Sequence, residues 1–180
     1  MNYILGAINT TTNRYENIIS VEKTNKYNCL CCSSDLILRK GEKRFQSFVH
    51  KTKNGCTYFK NPSQDQLIYD AQLHLKTLIE DNRVDIYRHC NVSLCRIKIN
   101  IPDEKRVVLY GETVVIDTGN DSDNLIFKIN PDATVNEDDD RYQINMLNLI
   151  QTCIQNFATK KIEIVLKNPF CCDNCKARYF

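Results

Sequence analysis

The sequence of 180 residues has no tryptophan, five glycines and four prolines. So little glycine and proline argues against a collagen-like or low-complexity chain and for a folded one. No apolar run approaches the length that crosses a bilayer, so no transmembrane segment is expected. The opening stretch lacks a basic region followed by a long apolar one, so no secretory signal is expected and the chain is placed in a reducing, intracellular compartment. An excess of one charge is also missing. Lys and Arg number 24 against 22 Asp and Glu, a net charge of +2, which selects neither a nucleic acid nor a membrane as partner.

Cysteine, in contrast, is abundant, with ten copies. In a reducing compartment such a set points to metal ligation more than to disulfides. Cys29 and Cys32 have two residues between them, the spacing with which a tight knuckle presents two sulfurs to one ion. A hairpin pattern follows, with Asp35–Arg39 and Lys43–His50 around a turn at Lys40–Gly41–Glu42. Beyond it stand His50 and Cys56. Two short-range pairs separated by a hairpin predict one tetrahedral zinc site made by Cys29, Cys32, His50 and Cys56, in a zinc-ribbon or treble-clef-like module. Cys31 competes for a place in that set. A second zinc site is expected from Cys90, Cys95, Cys172 and Cys175, with Cys171 and His89 as competitors. It would close a long loop and tie the C-terminal knuckle to the middle of the chain.

Ser63 followed by Gln66 is a capping box that opens the clearest helix, with Leu67, Ala71, Leu75, Leu78 and Ile79 on one face and an end near Asp81–Asn82. Residues 1–24 read as one or two strands centred on Tyr3–Ile4 and Ile18–Val21. Further strands are expected at Val84–Arg88, Leu94–Ile101, Arg106–Tyr110, Thr113–Asp117, Leu125–Ile129 and Lys161–Leu166. A second helix is expected over Tyr142–Phe157, after a solvated acidic loop at 131–141. The fold class is α+β: a zinc module over residues 1–60, then a mixed β-sheet with two main helices over 61–180.

The segments CLCC, LILRKGEKRF, SFVHK, GCTYF and NPSQDQLIYDAQLHLKTLI resemble the N-terminal part of the competence protein CoiA-like family. Proteins of this kind also occur in large nucleocytoplasmic DNA viruses, and the Asn-rich composition is similar to that branch. The resemblance implies a zinc module leading into a nuclease-like domain of the PD-(D/E)xK type. There a helix Glu, a strand Asp and a Glu-x-Lys or Glu-x-Gln pair hold a divalent metal that activates water. The sequence departs from that pattern. Ser63–Gln64 stands where the helix acid belongs, and Lys128 stands where a carboxylate ligand is expected and would repel a cation. Only Asp117 remains as a candidate strand acid.

The expectation is therefore a degenerate nuclease fold and a non-catalytic, zinc-stabilised accessory protein, viral by resemblance, that binds DNA, RNA or another protein in host cytoplasm, nucleus or virion. The alternative is a metal-dependent DNA endonuclease acting through Asp117. For nucleic acid, the candidate cations are Arg39, Lys40, Lys43, Arg44, Lys51 and Lys53, with Phe45, Tyr58 and Phe59 interleaved as stacking platforms.

Overall fold

The computed structural model describes residues 5–18, 20–41, 44–53, 55–90, 95–120, 124–131, 142–146, 149 and 161–166. The chain divides into two compact units, Met1–Thr77 and Leu78–Phe180.

The first unit is built on a five-stranded antiparallel sheet. Its strands are β1 (Ala7–Asn9), β2 (Arg14–Glu16), β3 (Tyr27–Asn28), β4 (Asp35–Gly41) and β5 (Arg44–His50), in the order β2-β1-β3-β4-β5. The β1–β2 hairpin replaces the strand centres expected for residues 1–24. Ile18 and Val21 are buried but lie outside any strand, and Tyr3–Ile4 lies outside the described residues. The turn explains the difference. The Asn9 side chain accepts the backbone N–H of Thr11 at 2.9 Å, and Asn13 takes a φ of 52°, a conformation asparagine tolerates better than most residues. In the β4–β5 hairpin, Leu36 and Phe48 point inward while Ile37, Arg39 and Ser47 are exposed, the two-residue alternation of a half-buried sheet. The core of the unit gathers Leu5, Ala7, Tyr27, Cys29, Leu36, Phe48 and Tyr58.

Helix α1 (Gln64–Glu80) begins as its capping box dictates. The Ser63 hydroxyl accepts the Gln66 N–H at 3.2 Å, and the Gln66 side chain accepts the Ser63 N–H at 2.9 Å. It ends where Asn82 adopts a φ of 53°.

The second unit holds two sheets. One has the order β12-β6-β7, from β6 (Val84–His89), β7 (Arg96–Lys98) and β12 (Ile162–Leu166). The other has the order β11-β10-β9-β8, from β8 (Arg106–Tyr110), β9 (Thr113–Asp117), β10 (Leu125–Asn130) and β11 (Tyr142–Asn145). β8 and β9 meet at Gly111–Glu112, where Gly111 takes a φ of 55°. Positive φ at the first central position suits a two-residue hairpin turn. The half-buried Asp85 on β6 accepts Lys98 at 2.7 Å and Lys161 at 2.9 Å on the same oxygen, bracing β7 and the start of β12 against the central strand.

Two expectations change here. Residues 142–145, expected to open a second helix, form β11, parallel to β10. The buried Gln143 is satisfied there by the Asn130 amide at 2.8 Å, a partner that helical periodicity cannot reveal. Met146 and Leu149 are helical, and residues 147–148 and 150–157 lie outside the described residues, so the described fold is α+β with α1 as its one fully described helix. The strand expected over Leu94–Ile101 is only Arg96–Lys98, with Ile97 exposed and Ile99 buried. No helix among the described residues is long and apolar enough to cross a membrane.

Candidate metal centre

The knuckle starts where β3 ends. Cys29 and Ser34 close it with backbone hydrogen bonds, Cys29 N–H to Ser34 O and Ser33 N–H to Cys29 O, both 2.9 Å. Ser33 makes the tight turn at a φ of 55°. The Cys31 N–H points back at the Cys29 sulfur, 3.4 Å away, a donor that favours negative charge on that sulfur. His50, the last residue of β5, stands opposite Leu36 in the hairpin register. Its ring packs at 5.6 Å from Phe59, which also touches Phe48 and Tyr58. The segment after the hairpin then brings Cys56 back to the knuckle.

The outcome is one cluster. The sulfurs of Cys29, Cys32 and Cys56 and a ring nitrogen of His50 all lie within 4.8 Å of one another. Cys29 Sγ and Cys56 Sγ are 3.9 Å apart, and Cys32 Sγ lies 3.3 Å from His50 Nε2. A tetrahedron with metal–sulfur bonds of about 2.3 Å and a metal–nitrogen bond of about 2.0 Å has sulfur–sulfur edges of about 3.8 Å and sulfur–nitrogen edges of about 3.5 Å. The Cys29–Cys56 and Cys32–His50 edges match those figures, and the sulfur pair at 3.9 Å is far too long for a disulfide, whose sulfurs are about 2.05 Å apart. The residues present can therefore hold one metal ion.

Electrostatics divide the three thiols. For Cys29, burial is the main cause that pushes the thiol up. Cys56 is pushed up to about 12, by burial first and then by hydrogen bonding to Cys32 and the nearby Cys29 charge. For Cys32, burial acts upward but the Ser34 hydroxyl and backbone N–H outweigh it, with Cys29 and Cys56 adding to them, and the thiol falls to about 6. One ready thiolate beside two reluctant thiols is an arrangement that a divalent cation would complete, because it lowers the affinity of all three sulfurs for protons.

One residue that sequence reasoning did not single out supports this unit. Asp70 on α1 is buried, 4% exposed. It accepts the Gly6 N–H at 2.9 Å, the Tyr58 hydroxyl at 2.8 Å and the Tyr15 hydroxyl at 3.1 Å. Burial pushes its carboxyl up to about 6 against those three donors. Its position three residues after Leu67 and one before Ala71, on the apolar face, was the available signal. Tyr58, expected as a base-stacking platform, is a core residue at 2% exposure and is unavailable to a base.

The other expected sites are placed less closely. Cys90 is buried and its N–H donates to Cys95 O at 2.9 Å, while Cys172 and Cys175 lie outside the described residues. Asp117 ends β9 and accepts the Gly119 N–H at 2.9 Å, the bond of an aspartate closing its own turn. Its cross-strand neighbour is Arg106. Arg39, Lys51 and Lys53 are exposed, and Lys51 lies 3.9 Å from Asp35. The side chains of Lys40, Lys43, Arg44 and Phe45 lie outside the described residues. Among the described residues, the Cys29, Cys32, His50 and Cys56 group is the one cluster of metal-ligating side chains.

No curated protein and no solved structure matches the chain. A family model does: residues 10–59 match the N-terminal domain of competence protein CoiA. The matched segment contains the knuckle, the β4–β5 hairpin and all four residues of the cluster, so it is this metal-centre module that is similar to the CoiA N-terminal domain.

Proposed function

We propose that Cys29, Cys32, His50 and Cys56 bind a structural zinc ion that staples the knuckle to the β4–β5 hairpin, and that the protein is a zinc-stabilised, non-catalytic binder of a macromolecular partner, with nucleic acid as the partner class. The observation that carries the metal reading is the convergence of the four ligand atoms within 4.8 Å of one another, with the Cys29–Cys56 edge at 3.9 Å and the Cys32–His50 edge at 3.3 Å. Three soft sulfurs and one imidazole in a closed tetrahedron favour zinc in a structural role, since all four positions are filled by protein and none is left for water or substrate. The partner reading rests on the exposed Arg39, Lys51 and Lys53 around the hairpin. The non-catalytic reading rests on Ser63–Gln64 and Lys128 in place of expected acids, and on Asp117 serving its own turn. In this reading the second unit is a degenerate nuclease-like domain and the protein a viral accessory factor.

The test pairs elemental analysis with two nucleic-acid assays. Purified protein should carry zinc, shift DNA or RNA in a salt-dependent mobility assay, and leave plasmid intact with magnesium or manganese. Plasmid cleavage abolished by Asp117→Asn would replace this reading with the endonuclease one.

A further inference from the structure

The second unit, Leu78–Phe180, contains a cavity of about 230 Å³ beside β6, the middle strand of the β12-β6-β7 sheet. Buried Ile79, Val84 and Ile99 form its apolar side. Its polar side carries Asp85, Lys98, Lys161 and Asp103, together with the amides of Asn82 and Asn100. Lys98 and Lys161 share one carboxylate oxygen of Asp85, at 2.7 Å and 2.9 Å. A third ammonium adjoins the cavity. Half-buried Lys105 donates to Asn82 Oδ1 at 2.6 Å and to the Pro102 carbonyl at 3.2 Å, both neutral acceptors. Around this cavity, among the described residues, three ammonium groups therefore meet two carboxylates, one of them the exposed Asp103.

We propose that this cavity is a phosphate site and that it holds a backbone phosphate of single-stranded nucleic acid. The proposal rests on the nucleic-acid reading above and says where the strand is gripped. The charge excess of the wall suits a phosphodiester, which carries a single negative charge. A cation would meet two ammonium groups already seated on the half-buried carboxylate, and would be repelled. Lys98 gives one N–H to Asp85 and keeps two for a phosphate oxygen. Because Asp85 already holds the Lys98 ammonium in place, binding costs less side-chain freedom there. The volume limits what enters. At about 230 Å³ the cavity is smaller than the about 300–1,000 Å³ of pockets that enclose a whole small molecule, so it fits one part of a longer ligand. The neighbouring surface suits an unpaired base. Tyr87 follows Asp85 on the same face of β6 and stands opposite Lys98 in the register. The Arg96 guanidinium lies over the Tyr87 ring at 4.2 Å and is pinned by Glu163 at 2.9 Å. An exposed guanidinium fixed on an aromatic ring is a platform on which a base can stack, and a duplex keeps its bases out of reach.

The experiment titrates the full zinc-loaded chain into a fluorescently labelled oligothymidylate strand and reads anisotropy at several salt concentrations. Lys98→Gln and Lys105→Gln should each weaken binding by about ten-fold or more. Each should also make the log–log salt dependence shallower by about 0.7, the share of one phosphate contact on a single strand. Lys98→Arg keeps the charge and should bind close to the native chain. The acceptors of Lys105 are neutral, so Lys105→Gln leaves no carboxylate unpaired and carries the test if Lys98→Gln fails to fold. Arg39→Gln and Lys51→Gln, on the first unit's hairpin, are the contrast. If the native chain binds the strand and only these hairpin variants weaken it, the cavity proposal is overturned while the nucleic-acid reading stands. If the native chain binds no oligonucleotide, both are overturned. Inorganic phosphate is titrated separately by calorimetry. Lys98-dependent binding of that ion without any binding of the strand would make this a site for a small phosphate and overturn the strand proposal, as would a labelled duplex of equal length bound as tightly as the single strand.

Discussion

Replacing Asp70 with asparagine tests how the first unit holds a buried acid. The Asp70 carboxyl moves from its ordinary 3.8 to about 6 in the fold, because burial penalises the carboxylate more than Gly6, Tyr58 and Tyr15 stabilise it. A folded-state value above the unfolded one means the native state holds the proton more tightly. The stabilisation is therefore complete below the unfolded value and fades as pH rises through about 6. The whole effect is worth about 3 kcal/mol, and about 1.3 kcal/mol of it falls between pH 5 and pH 7. Asparagine has the shape of the protonated acid, keeps an oxygen for the Gly6 N–H, and does not titrate. The stability of the native protein relative to Asp70→Asn should thus drop by about 1.3 kcal/mol from pH 5 to pH 7. Urea unfolding of both proteins at pH 5, 6 and 7 with zinc held in excess measures this. Loss of metal through protonated Cys or His is common to both and cancels in the difference. A difference that does not change with pH, or one that grows in favour of the native protein as pH rises, would refute the reasoning.

Cys32→Ser or His50→Ala should lose the metal and unfold the first unit, since structural zinc supplies folding free energy directly. Elemental analysis together with a melt checks this, and full zinc with an unchanged melt would remove these residues from the site. Gly6→Ala should destabilise by about 1–3 kcal/mol, because a Cβ there runs into the Tyr15 ring while the Gly6 N–H is committed to Asp70; denaturant titration measures it. If Cys90, Cys95, Cys172 and Cys175 hold a second ion, native protein should carry close to two zinc ions per chain and deletion of residues 171–180 should remove one; a ratio near one, untouched by the deletion, rules that site out.

What the sequence determined by itself was local. The α1 start follows from Ser63 and Gln66, whose side chains and backbones satisfy one another within a single turn. The edges of β8 and β9 follow from short apolar runs, Val107–Tyr110 and Val114–Ile116, on either side of Gly111–Glu112. The convergence of Cys29, Cys32, His50 and Cys56 follows from a knuckle and a hairpin, both short-range devices, so spacing alone brings the four atoms near one another.

Tertiary structure decided what depends on distant partners. Gln143 and its neighbours become β11 because β10 offers a parallel edge and Asn130 an amide, and both lie beyond any local window. Asp70 is buried and pushed up because Gly6, Tyr15 and Tyr58 converge from three separate segments. Tyr58, an aromatic among lysines in the sequence, is taken into the core for the same reason. Cys31 is one more cysteine in a run until the fold sets its sulfur against the Gln66 amide of α1, because sequence spacing carries no record of which neighbour a sulfur faces.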